Sequence, residues 1–146
     1  MDIAQVSAQL RSEYTADMHQ AVIDKWPMAS AIGPRPNGYG GEHLLHRLPK
    51  DPAELVEELH RRVAAQKVEL DKERQRYDDI RRRGPAALSD YDIAIAHRNC
   101  EDAVRCSLML KTAHVSAAVS GLMILRQALE DAAERLERER PQMMLF

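Results

Sequence analysis

Glu57 and His60 stand three residues apart, a spacing that on a helix sets a carboxylate and an imidazole on one face and supplies half of a di-iron site in helical bundles. Such a site needs the pair twice, with two further glutamates on facing helices, and no other Glu-x-x-His occurs in the chain. The pair therefore reads as part of a charged, solvated face. His97 and Cys100 also share a helix face, but Cys106 points elsewhere and there is no Cys-x-x-Cys, so zinc is not expected. Cys100 and Cys106 lie six residues apart in one helical segment, about 9 Å along its axis and facing different ways. That geometry predicts two reduced, buried thiols and no disulfide. His114 sits in an apolar stretch and reads as a satisfied core histidine. His43 and His46, in an irregular segment, are kept as weak binding candidates.

Catalytic patterns are equally sparse. Glu54, Glu57 and Glu58 resemble the first acidic motif of the all-α nucleotide pyrophosphohydrolases, where carboxylates hold magnesium against a pyrophosphate. The second motif of that family, Glu-x-x-Asp, is absent: no glutamate here is followed three positions later by aspartate. There is no Gly-x-Ser-x-Gly elbow and no phosphate loop ending in Lys-Ser or Lys-Thr, and Gly38-Tyr39-Gly40-Gly41 does not follow a strand. The expectation is a protein without catalytic residues, metal or cofactor. Lys72, Arg74, Arg76, Arg81, Arg82 and Arg83 make a basic helix end that could touch phosphates. They alternate with Glu69, Asp71, Glu73, Asp78 and Asp79, so direct nucleic-acid binding is not expected.

The elements that would position these residues are helical. The chain has 146 residues, with 30% charged and 45% drawn from the apolar set but only 4% aromatic, which favours helices over strands. A net charge of −2 from 21 basic and 23 acidic residues creates no field that would recruit a polyanion or a lipid surface. The opening MDIAQVSAQLRSEY lacks the basic segment and apolar core of a secretory signal. The uncharged run 112–125 is too short to cross a bilayer. A cytoplasmic protein is expected.

Three helices are predicted. Ile3, Val6, Leu10, Tyr14, Met18, Val22 and Trp26 recur every three or four residues, laying an apolar stripe on a helix over about 3–26 that Pro27 ends. Residues 27–50, broken by Gly33, Pro34, Pro36, Gly38, Gly40, Gly41 and Pro49, form an irregular loop with a short turn near 42–47. Asp51 as N-cap, Pro52 at the first position and Glu54 at the third start a second helix. Arg81, Arg82 and Arg83, then Gly84 and Pro85, stop it, giving 52–83. Within it Val56, Leu59, Val63, Gln66, Leu70, Glu73, Tyr77 and Ile80 keep the 3-4 spacing of a seam, weakened by Gln66 and Glu73.

Ser89 and Asp92 cap a third helix over about 90–140. Its middle is apolar nearly all round, so contact on several sides is expected. Ala113, Ala117 and Gly121 form a row of small residues, and Gly121 marks either a close helix approach or a kink. The fold class is all-α: a three-helix chain with a long helical hairpin, completed as a bundle by dimerisation, since one copy supplies too few helices to cover the third. A homodimer is therefore expected. In domain terms, 1–140 is helical and 141–146 is a tail.

That tail, Gln142-Met143-Met144-Leu145-Phe146, places four large apolar residues after Pro141, where chain ends are usually polar and frayed. Gln-x-x-Leu-Phe at an extreme C-terminus resembles the linear motif by which bacterial polymerases, mismatch-repair proteins and several plasmid and phage proteins dock on the DNA sliding clamp. The resemblance implies that Gln142 hydrogen-bonds at the rim of the clamp pocket while Leu145 and Phe146 fill its apolar floor. Met143 fits the second position; Met144 departs from the Ser or Asp common at the third. The expected function is a non-catalytic bacterial or phage protein of DNA replication that binds the clamp through Gln142, Met143, Leu145 and Phe146. The alternative is a small phage-type helical regulator or inhibitor that covers a host protein with its helical surface, its tail packed on its own body.

Overall fold

The computed structural model describes residues 2–26, 42–96 and 100–144, with the backbone alone at 42, 100–102 and 141–144. Among them all regular structure is helical and no strand occurs, so the chain is all-α. The elements are α1 (Ile3–Glu13), α2 (Ala16–Lys25), a 3-10 turn (Glu42–Leu45), α3 (Pro52–Arg83), a second 3-10 turn (Gly84–Ala87), α4 (Asp90–Ile95) and α5 (Cys100–Met144).

The second expected helix stands with both its bounds. Asp51 Oδ2 accepts from the backbone N–H of Glu54 at 3.2 Å, and Gly84, at φ 61°, takes the left-handed conformation that ends α3. The other two expected helices are each divided. The stripe from Ile3 to Trp26 breaks at Thr15, whose hydroxyl accepts from Met18 N–H at 3.2 Å and starts α2 afresh. Side-chain periodicity passes straight through such a cap, because a local backbone reversal need not disturb the spacing of apolar positions. Similarly, α4, capped by Ser89 Oγ accepting from Asp92 N–H at 3.1 Å, ends at Ala96, and α5 begins at Cys100. The last helix also runs past its expected stop at Pro141 to Met144. Pro141 removes one N–H donor and its ring crowds the Glu137 carbonyl, yet the three N–H groups that follow it still have carbonyls one turn back.

The chain divides into two compact units. The first comprises Met1–Gly33 and Lys72–Val115, the second Pro34–Asp71 and Ser116–Phe146. In the first, a core of Val22, Tyr77, Ile80, Ala87, Leu88, Ile93, Ala103, Val104 and Leu108 is flanked by Leu10, Tyr14, Ile23 and Trp26. α1 packs on α4, and Arg11 staples the pair: Nε donates to the Pro85 carbonyl at 3.3 Å, Nη2 to the Leu88 carbonyl at 2.7 Å, and Nη1 meets Asp90 Oδ1 at 2.7 Å. Ser7, fully buried, donates to the Asp90 carbonyl at 3.2 Å, which satisfies a hydroxyl that burial would otherwise penalise.

In the second unit, Leu59, Val63 and Leu70 of α3 and Ala118, Leu122, Leu125 and Ala132 of α5 are buried. Gly121 is the position of closest approach: a Cβ there would lie 2.9 Å from Leu44 Cδ1 and 3.0 Å from Gln66 Nε2. Of the two readings of this glycine, close packing is the one its neighbours support. Arg62 Nη1 donates to the carbonyls of Leu44 at 2.5 Å and His46 at 2.9 Å, tying the first 3-10 turn to α3.

Candidate functional site

The clamp-motif residues fall at the edge of what the structure describes. Gln142, Met143 and Met144 are backbone positions in the last turn of α5, and Leu145 and Phe146 lie outside the described residues. Ahead of them, side chains 133–140 are exposed apart from half-buried Leu136. The helix carrying the tail therefore leaves the core after Ala132, the last buried side chain among the described residues.

The two polar residues that interrupt the α3 seam prove to be its polar contacts. Gln66 Nε2 donates to the Ala118 carbonyl at 3.1 Å. Glu73, seven residues on, receives Lys111 Nζ at 2.8 Å on Oε2, and His114 Nδ1 lies 3.5 Å from the same oxygen. The Lys111 hydrogen bond, with the charges of Lys111 and His114 behind it, holds the Glu73 carboxyl below its ordinary value, against the opposing pull of partial burial. His114 is thus not the core histidine expected; its side chain is exposed and faces Glu73. This cluster pairs charge across two helices. Its chemistry is that of a specific contact within the hairpin.

A second polar network surrounds the turn after α3. His19 Nε2 donates to the Arg81 carbonyl at 2.5 Å, which leaves Nδ1 to accept from the Tyr14 hydroxyl at 3.3 Å. Gly84 lies directly beneath, where a Cβ would stand 3.0 Å from His19 Nδ1. Tyr77 Oη donates to the Trp26 carbonyl at 2.5 Å, so a fully buried phenol closes the end of α2. At the basic end of α3, Asp79 pairs with Arg76 at 3.7 Å, Arg82 at 3.3 Å and Arg83 at 3.5 Å.

Glu57 and His60 are both exposed on α3. Glu58 is drawn instead toward Arg61 and Arg62, and the hydrogen bonds from these two arginines lower its pKa. His43 lies in the first 3-10 turn and His46 just after it, both exposed; the His43 carbonyl accepts from His46 N–H at 3.2 Å. No group of three His, Cys, Asp or Glu side chains suited to a metal occurs among the described residues. His97, Gly38, Tyr39, Gly40 and Gly41 lie outside them. Cys106, expected to be buried, is exposed and free. It shares the outer side of α5 with Met109 and Leu110, also exposed. On α4, Tyr91 and Ile95, one turn apart, are 67% and 69% exposed.

One helical stretch, Ala103–Arg140, contains a window long and apolar enough to cross a membrane by length and composition, with half of that window buried inside the protein. The uncharged run 112–125 lies within that stretch. No family model, no curated protein and no solved structure matches the chain.

Proposed function

We propose that the chain is a non-catalytic, cytoplasmic helical protein of bacterial or phage origin that docks on the DNA sliding clamp through Gln142, Met143, Leu145 and Phe146. The observation that carries this reading is the Gln-x-x-Leu-Phe sequence at the end of a helix whose preceding side chains stand in solvent. A peptide of residues 141–146 should bind a bacterial sliding clamp in the micromolar range, about −7 to −8 kcal/mol, because a few buried anchors must offset the ordering of a short chain. Leu145→Ala with Phe146→Ala should remove most of that affinity, while Met144→Ser should leave or improve it. Absence of saturable binding by both peptide and full chain refutes the reading.

The same proposal includes a homodimer. Met109, Leu110 and Met123 leave apolar surface of α5 uncovered in the single chain, and a second copy is the proposed cover. Light scattering at micromolar concentration should give twice the chain mass, and a clean monomer refutes it. A second reading, a helical regulator that covers a host protein with its own surface, is favoured by exposed Tyr91 and Ile95 on α4. The two readings separate on limited proteolysis: a tail that docks on a partner is cleaved in the free protein, and a tail packed on its own body is protected.

A further inference from the structure

We draw no further inference here: the strongest candidate, the cleft of about 280 Å³ in the first unit where Arg11, His19 and Arg83 border the start of α2, is lined by donors already bound to the carbonyls and carboxylates of the adjoining turn, which leaves a helix N-terminus with no second observation pointing to a ligand.

Discussion

Replacing Gly121 tests the packing of α5 against its neighbours more directly than any other single change. A Cβ at this position meets Leu44 Cδ1 at 2.9 Å and Gln66 Nε2 at 3.0 Å, both far ends of flexible side chains. Gly121→Ala must push them back by a few tenths of an ångström, which strains or breaks the bond from Gln66 to the Ala118 carbonyl, a cost of up to about 1 kcal/mol. Removing a glycine from a helix interior returns about 1 kcal/mol, so the alanine variant should be close to neutral. Gly121→Leu adds three further carbons where there is no room, and overpacking of that kind costs about 1 to 3 kcal/mol. With the helix gain and the lost hydrogen bond offsetting each other, the net destabilisation should be about 1 to 3 kcal/mol, or a fall in Tm of about 3 to 10 °C for a chain of this size. Thermal unfolding followed by circular dichroism measures it. Gln66→Ala in the same chain supplies the control: it vacates the space, so Gly121→Leu should cost less in that background than in the wild type. An unchanged Tm for Gly121→Leu, or strict additivity of the two substitutions, would refute the packing assigned to this glycine.

Asp51→Ala should lower stability by about 1 kcal/mol in urea unfolding through loss of the α3 cap, with Asp51→Asn close to wild type. Glu73→Gln should cost about 1 to 2 kcal/mol at neutral pH by leaving Lys111 without its carboxylate partner. Because the Glu73 carboxyl is held below its ordinary value of 4.5, its contribution is fully present above that value and disappears as pH falls through the lower folded-state value. The stability gap between wild type and Glu73→Gln should therefore close in acid, and a gap independent of pH would contradict the ion pair. Arg11→Lys should destabilise by about 2 kcal/mol, since a single ammonium cannot satisfy the two carbonyls and the Asp90 carboxylate together; equal stability would show the staple to be dispensable.

Local backbone rules were readable in the sequence; partnerships over distance were not. Asp51, Pro52 and Gly84 delimit α3 because capping depends on residues within one turn of each other. The seam of Leu59, Val63, Leu70, Tyr77 and Ile80 is buried, as its spacing requires. A cap at Thr15, in the middle of an unbroken apolar stripe, leaves the periodicity intact, and it shows only in the reciprocal bonds of its hydroxyl with Met18 N–H at 3.2 Å and of its own N–H with Met18 Sδ at 3.4 Å. Ser7, too, reads as a surface residue until the Asp90 carbonyl, supplied from 83 positions away, gives its hydroxyl a buried partner. The tail is the reverse case, for its motif is legible in five residues while the docking proposed for it needs a partner outside the chain.

Gln66 and Glu73 show why the two kinds of information diverge. From sequence alone each is a defect in an apolar seam, since a polar side chain facing another helix loses water and gains nothing that spacing can reveal. In the folded chain Gln66 meets a carbonyl of α5 at Ala118 and Glu73 meets the ammonium of Lys111 with His114 beside it, the first two 52 and 38 positions away. A seam made only of Leu and Val would tolerate slippage along its length at little cost, because dispersion contacts are exchangeable. A hydrogen-bonded amide and a paired carboxylate are not, since any other register would leave these half-buried groups without partners. The residues that weaken the seam as a hydrophobic surface are therefore the ones that fix which residues of α5 face α3.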